Sequence, residues 1–203
     1  MIEDAVSPEG AQNEYEDSAF EALSLKGKSV SSKHFYNCVF KGCDLTGAGL
    51  ISCKFFDCRF ESCNLSLVKV TGSVFSGTEF KDSKLVGVNW TAASWPRIKL
   101  SSPLRFSNCV LNDSNFLGLS LKDSRFSGCL AKGADFRETD LSCSDLTGTD
   151  FTDCLFGKTN LAGADLTRAS NYAIKVSENQ IKNAKFSMPE AMALLYCLDI
   201  RIV

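Results

Sequence analysis

The sequence predicts a solenoid in which the chain turns once every five residues, and two patterns predict it. Every fifth residue from position 20 to position 90, and again from position 106 to position 166, is large and apolar, with Ala131 as the exception. The residue two places before most of these is Ala, Ser, Thr or Cys. A period of five fits neither an α-helix nor a β-strand, so neither element keeps both positions inward. We call the large residue position i and the small residue position i−2.

Length and composition agree with a single repeat array that has a packed core. The chain has 203 residues, of which 44% are hydrophobic. Its formal net charge of −2 argues against a protein that binds nucleic acid through a basic surface. We see neither a signal peptide nor an apolar run of the roughly 18 residues that a membrane helix needs. The sequence therefore predicts a soluble, cytoplasmic protein with no direct contact to nucleic acid or membrane.

Many units of the repeat resemble the A(D/N)LXX signature of pentapeptide repeat proteins, among them CDLTG, ADFRE, SDLTG, TDFTD, TNLAG and ADLTR. The resemblance covers most of the chain. It implies an all-β fold, a right-handed quadrilateral β-helix with one repeat per face, four repeats per coil and roughly seven coils. In that fold positions i and i−2 point inward, and residues twenty apart in the sequence stack on one face.

The ten cysteines require an explanation, since eight of them occupy position i−2. A zinc site needs four ligands that converge tetrahedrally, whereas cysteines five apart would lie on adjacent walls of the β-helix. Free cysteine behaves as a small buried apolar residue. The pattern therefore favours core filling over a metal site.

The period is interrupted at VGVNWTAASWPRIKLSSPLRF, residues 86–106, where two tryptophans, two prolines and a one-residue slip coincide. Because proline lacks the amide that a β ladder needs, Pro96 and Pro103 predict an interruption over residues 91–105, with a short helix over residues 91–95 and a kink. Trp90 and Trp95 either fill the break or contact a partner. The stretch GVNWTAASWP is also similar to the albicidin-, Qnr- and microcin-resistance group of the family.

The C-terminal segment predicts a short helix after the solenoid. Ser187 and Glu190 fit a capping box, and an apolar stripe follows at Ala191, Leu194, Leu195 and Leu198. The stripe either caps the last coil or forms a dimer contact. In the resembled group the C-terminal ends pair as a two-fold dimer. We therefore expect a homodimer through contacts at Leu194, Leu195, Leu198 and Ile200.

These features divide the chain into five segments. An acidic, partly disordered tail over residues 1–17 precedes an N-terminal solenoid segment over 18–90. The interruption over 91–105 leads to a C-terminal solenoid segment over 106–170 and a cap over 171–203. Lys28 and Lys33 stand at i−2 positions, which predicts an irregular first coil.

We find no catalytic pattern in the sequence. His34 is the only histidine, and there is no P-loop, no G-x-G-x-x-G and no G-x-S-x-G. The sequence therefore predicts a protein that is not an enzyme and uses no cofactor or metal.

The functional expectation concerns the acidic C-terminal half. Between residues 133 and 165 seven acidic residues stand against Arg137 and Lys158. For the resembled group, the implied partner is DNA gyrase, whose DNA-binding saddle an acidic rod would occupy to protect the enzyme from inhibitors. The expected contacts are Asp135, Asp140, Asp145 and Asp165, with Trp95 and Arg97 as a second contact. The alternative is a repeat scaffold for another protein partner.

Overall fold

The computed structural model describes residues 12–95, 104–196 and 198, and it shows a parallel β-solenoid. The solenoid has about 8 coils, one more than the sequence predicts. The strands are β1 Glu14–Glu16, β2 Ala19–Glu21, β3 Ser29–Ser31, β4 His34–Tyr36, β5 Val39–Lys41, β6 Gly49–Ile51, β7 Lys54–Phe56, β8 Arg59–Glu61, β9 Val74–Ser76, β10 Glu79–Lys81, β11 Arg105–Ser107, β12 Arg125–Ser127, β13 Asp165–Leu166 and β14 Lys185–Phe186.

The coils stack into four faces, as predicted for a quadrilateral β-helix. Face A holds the sheet β1-β4-β7-β9, face B holds β2-β5-β8-β10-β11-β12 and then β13-β14, and face D holds β3-β6. Face C consists of isolated parallel bridges from Ser24 to Ser170. Corner residues adopt positive φ, as Asn37 (φ 50) and Gly42 (φ 62) do, which explains the many Gly, Asn and Asp residues there.

Position i fills the interior with stacked rings. The Phe60 ring lies between those of Phe40 and Phe80, with centroid distances of 4.5 and 5.0 Å. All three side chains are at most 2% exposed. The stacking predicted for residues twenty apart is therefore confirmed for these rings, and the column continues through Phe106 and Phe126.

The Cys, Ser and Thr side chains at position i−2 donate hydrogen bonds as well as fill space. The Cys58 thiol donates to the Phe35 carbonyl at 3.4 Å, and the Ser73 hydroxyl donates to the Leu50 carbonyl at 2.7 Å. The Thr139 hydroxyl makes the equivalent bond to the Phe116 carbonyl at 2.8 Å. Each side chain thus satisfies a buried carbonyl of the neighbouring coil.

The cysteines at position i−2 are buried, while Cys143 at a corner is exposed and Cys197 lies outside the described residues. Burial raises the pKa of Cys58 and of Cys154 to about 12. Within the described ranges, no group of three or more His, Cys, Asp or Glu side chains is placed to hold a metal ion. The thiols therefore act as core residues.

The start of the solenoid corrects two expectations. Strand β1 begins at Glu14 and pairs with β4, so the predicted boundary at residue 18 is too late. The backbone of the first coil is also regular, because β2 and β3 pair with β5 and β6 in a 20-residue register. Lys33 fits inside at 2% exposed, since its ammonium donates to the Gln12 carbonyl (2.6 Å) and to Asn13 Oδ1 (3.2 Å). Lys28 instead points into solvent.

The interruption is longer than the one-residue slip in the sequence. Phe80 pairs with Phe60, 20 residues earlier, but with Phe106, 26 residues later, so six residues are inserted. Five residues are the length of one whole repeat, so inserting five leaves the five-residue period unchanged. Only the sixth inserted residue shows in the sequence, as the one-residue slip. Face B keeps its parallel pairing across the insertion, so the coils remain stacked on that face.

A 3₁₀ helix over Trp90–Ala92 opens the insertion, in place of the predicted helix over residues 91–95. The Asn89 side chain caps it by accepting a hydrogen bond from the Thr91 amide. Residues 96–103, including Pro96, Arg97 and Pro103, lie outside the described residues.

The C-terminal cap forms a 3₁₀ helix over Glu190–Met192 that continues as helix α1, Ala193–Tyr196. The predicted capping box is wrong, because the Ser187 hydroxyl accepts a hydrogen bond from the Arg168 amide at 2.8 Å instead. Leu194 packs against the core. In the part of the chain that is described, we find no helix long and apolar enough to cross a membrane.

Candidate partner-binding surface

The outward carboxylates at position i−1 hold the turns of the solenoid together. The Asp44 carboxylate accepts hydrogen bonds from the amide and the hydroxyl of Thr46 at 2.9 and 2.6 Å. We call these hydrogen bonds, from the residue two places later to the side chain at position i−1, a clasp. The same clasp joins Asn64 and Ser66, Asn89 and Thr91, Asp145 and Thr147, Asp150 and Thr152, and Asp165 and Thr167. These side chains therefore have a structural role in addition to any contact with a partner.

The structure does not bring the four expected aspartate contacts onto one face. Asp145 and Asp165 are ladder neighbours on face B. Asp140 lies on face A, between Ser120 and Asn160, and Asp135 lies on face D. The four side chains are partly exposed and point away from the core.

Cations lie beside three of these carboxylates. Asp135 forms a two-point contact with Arg137, whose closest nitrogen is 2.7 Å away. Asp145 pairs with Arg125 at 3.1 Å, and Asp165 with Lys185 at 3.4 Å. Asp140 instead accepts hydrogen bonds from the Ser142 amide and the Asn160 side chain, both at 3.0 Å. Only part of the negative charge counted in the sequence therefore faces solvent without a counter-ion.

The clasps predict a loss of stability in acid. Hydrogen bonds from Thr167 lower the pKa of the Asp165 carboxyl, and those from Arg137 lower the pKa of Asp135. A carboxyl whose pKa is lower in the folded chain stabilises the fold above the unfolded value of about 3.9, and this is lost as the pH falls through the folded pKa. We expect the Tm to fall below about pH 4 for this reason.

Asp165→Asn tests this expectation, since the amide keeps the Oδ1 acceptor but does not titrate. The slope of Tm against pH below about pH 4 should be smaller than in the parent. Asp123→Asn, at an exposed corner, is the control for removing one charge. An unchanged slope in Asp165→Asn would show that this clasp does not cause the loss of stability in acid.

The second expected contact is only partly described. The Trp95 side chain is half-buried, packs against the core and donates a hydrogen bond from Nε1 to the Trp90 carbonyl at 2.9 Å. Trp90 is 1% exposed, with its ring 5.4 Å from that of Phe75. Both tryptophans thus fill the break, and Trp95 also keeps an exposed edge. Arg97 lies outside the described residues.

The expected dimer contacts lie at the last coil. Leu194 and Leu195 are half-buried and Leu198 is 46% exposed, while Met188 nearby is 71% exposed. Ile200 lies outside the described residues. The cap therefore presents apolar side chains both to the core and to solvent.

The negative charge of the solenoid is concentrated in its C-terminal part. Residues 14–90, counted from the start of β1, contain nine Lys and Arg against nine Asp and Glu, whereas residues 106–170 contain six against nine. The rod therefore has a neutral N-terminal part, followed by an acidic segment over residues 106–170.

The sequence carries a signal for the clasps. Asp or Asn at position i−1 is followed two places later by Thr or Ser in CDLTG, SDLTG, TDFTD and ADLTR. This spacing is typical of side chains that hydrogen-bond the backbone two residues on.

Comparison with solved structures gives the same right-handed quadrilateral β-helix. A trypsin-treated variant of QnrB1, a plasmid-mediated fluoroquinolone resistance protein, is 20% identical, with a TM-score of 0.71 over 94% of this chain and 97% of that chain. Full-length QnrB1 is 23% identical, with a TM-score of 0.61 over 92% of this chain and 100% of that chain.

HetL, a pentapeptide repeat protein involved in heterocyst differentiation regulation in the cyanobacterium Nostoc sp. strain PCC 7120, is 12% identical. Its TM-score is 0.62, over 86% of this chain and 87% of HetL. A comparison with curated protein sequences gives no match.

Two family profiles match the sequence directly. The profile described as a pentapeptide repeat region matches residues 14–90, and the profile of pentapeptide repeats (8 copies) matches residues 120–157 and 144–170. Together the matches cover more than half of the chain. The protein therefore belongs to the pentapeptide repeat family.

Proposed function

We propose that this protein is non-enzymatic, binds DNA gyrase in competition with DNA, and protects the enzyme from an inhibitor. The observation that carries the proposal is the extent of the likeness to QnrB1, which runs over almost the whole length of both chains. The likeness is one of fold. The stretch GVNWTAASWP, which resembles the resistance group, adds a feature of sequence.

The shape and charge of the rod are compatible with a site that binds duplex DNA. About eight coils at ~4.8 Å each give a rod of roughly 38 Å, and a tail-to-tail dimer would double that length. The clasps hold the outward carboxylates at fixed positions, so little conformational entropy is lost when they meet a basic surface. Such a contact weakens as salt screens it.

Purified gyrase provides the test. The protein should bind it at low salt, lose affinity as salt rises, and be displaced by duplex DNA. The variant with Asn at Asp135, Asp140, Asp145 and Asp165 should bind and protect less well. It should keep its fold, because asparagine retains the acceptor of each clasp.

The matched control replaces Asp44, Asp57 and Asp82, which lie outside the acidic segment over residues 106–170, with Asn. This control should bind gyrase as the parent does. A quadruple variant that binds and protects like the parent would mean that these carboxylates are not the contacts. A parent that fails to bind gyrase at low salt would leave the scaffold alternative, to which HetL, a regulatory protein with this fold, gives support.

We also propose that the cap forms a two-fold dimer, with Leu198 at the contact and Leu194 turned to the core. Leu198→Asp should therefore give a monomer with an unchanged circular dichroism spectrum, because the side chain is already 46% exposed. Truncation after Phe186 should also give a monomer and should expose the last coil. Light scattering measures the mass of each variant in solution. A parent protein that is monomeric at micromolar concentration would exclude this dimer.

A further inference from the structure

Face C carries a ladder of outward residues whose chemistry changes along the rod. Its members, each bridged to the next, are Ser24, Asp44, Asn64, Lys84, Val110, Leu130, Asp150 and Ser170. Val110 and Leu130 form an apolar centre, and Leu130 is 49% exposed. Lys84 directly precedes this centre and Asp150 directly follows it. The four central steps of the ladder are thus basic, apolar, apolar and acidic, and they follow Ser24, Asp44 and Asn64.

Neither charge beside the apolar centre has a salt bridge within the residues that the structure describes. Lys84 is exposed, and its ladder neighbours are Asn64 and Val110. Asp150 Oδ1 accepts hydrogen bonds from Thr152 and Asn171, which fix the carboxylate without neutralising it. Both charges remain available to a partner.

We propose that face C binds a second copy of this chain, with the two rods antiparallel. A two-fold axis across the ladder, midway between Val110 and Leu130, reverses the order of the ladder in the second copy. Val110 then lies opposite Leu130 of the second copy, and Lys84 lies opposite Asp150 of the second copy. Each contact occurs twice, as a self-complementary interface requires.

Charge disfavours the parallel arrangement of the same faces. An axis along the rod would place Lys84 next to Lys84 of the second copy and Asp150 next to Asp150, and like charges in apposition are unfavourable. In the antiparallel arrangement Lys132 falls beside Asp113 of the second copy, at the edge of the same face. Basic side chains therefore meet acidic side chains at and beside the apolar centre, while Asn64 lies opposite Ser170 of the second copy.

The geometry supplies a direct test with the full chain. Lys84 and Asp150 are three ladder steps apart within one chain, or roughly 14 Å, which is too far for a direct bond between their side chains. A zero-length carbodiimide cross-link between them therefore reports an intermolecular contact. Mass spectrometry of a mixture of isotopically light and heavy protein should find the Lys84–Asp150 product with mixed labels, in an amount that falls as salt rises.

Variants measured by sedimentation equilibrium give a second readout. Lys84→Glu should weaken association by roughly tenfold, since the symmetry removes the ion pair twice. Lys69→Glu is the matched control, because Lys69 is an exposed lysine on face D, and it should leave association unchanged. Using Leu198→Asp as the background separates this contact from the proposed cap dimer.

The proposal stands if the cross-link forms between chains and Lys84→Glu alone weakens association. It is overturned if the Lys84–Asp150 product is absent from associated protein, or if Lys84→Glu and Lys69→Glu have equal effects. Gyrase binding is measured separately, so its failure would not affect this result.

Discussion

Replacement of Phe60 by alanine is expected to lower the free energy of unfolding by roughly 3–5 kcal/mol. Phe60 is 0% exposed, and its ring stacks between Phe40 and Phe80 and lies 5.6 Å from Phe55 in an edge-on contact. The coils above and below are tied by backbone ladders on all four faces, so they cannot collapse into the space. The cost therefore includes the cavity as well as the lost transfer free energy.

Phe56→Ala is the matched control, because Phe56 has the same side chain on the outer surface. It stacks on Tyr36 at 5.5 Å but is half-exposed, so its loss should cost roughly 1 kcal/mol or less. Urea unfolding followed by circular dichroism measures both variants. Equal losses of stability would contradict the inward assignment of position i.

Cys58→Leu is expected to cost roughly 1–3 kcal/mol through overpacking. Cys58 is 1% exposed, and its thiol donates to the Phe35 and Phe56 carbonyls, each at 3.4 Å. Leucine adds volume where the walls meet, and it removes the donor that satisfies those carbonyls. Overpacking and the loss of the donor both lower the free energy of unfolding.

Cys58→Ser separates size from hydrogen bonding. Ser83, in the same inward position one face further along, donates to the Phe60 and Lys81 carbonyls at 3.3 and 2.8 Å, so a hydroxyl fits the site. We expect Cys58→Ser to retain near-parental stability and Cys58→Ala to lie between serine and leucine. The order of the three midpoints in urea is the measurement. A serine variant as unstable as the leucine variant would refute the donor role.

The clasps change how an acidic surface on this fold is understood. Asp145 and Asp165 are held by Thr147 and Thr167 and lie beside Arg125 and Lys185. A carboxylate in such a position stabilises the turn of its own chain whether or not it contacts a partner protein. Asparagine variants, which keep the turn, are therefore more informative about binding than alanine variants.

The sequence by itself determined the period, the inward positions and the site of the interruption. These features are local, because residue size at i and i−2 repeats with the chain whatever lies on the next coil. The placement of Asp135, Asp140 and Asp145 on three different faces also follows from the 20-residue coil, although we had expected these side chains to act together as one contact.

Only the tertiary structure decided the features that depend on pairing between coils. The insertion is six residues rather than one because Phe106 must stack on Phe80, and a whole extra repeat is invisible in the periodicity. Lys33 is buried because its ammonium donates a hydrogen bond to the Gln12 carbonyl. The Ser187 hydroxyl accepts a hydrogen bond from the Arg168 amide rather than from an amide of its own helix. The succession of Lys84, Val110, Leu130 and Asp150 on face C likewise appears only when the coils are stacked in register. In each case the two residues in contact are about one coil or more apart along the chain. The register between stacked coils therefore fixes the contact, and local composition does not.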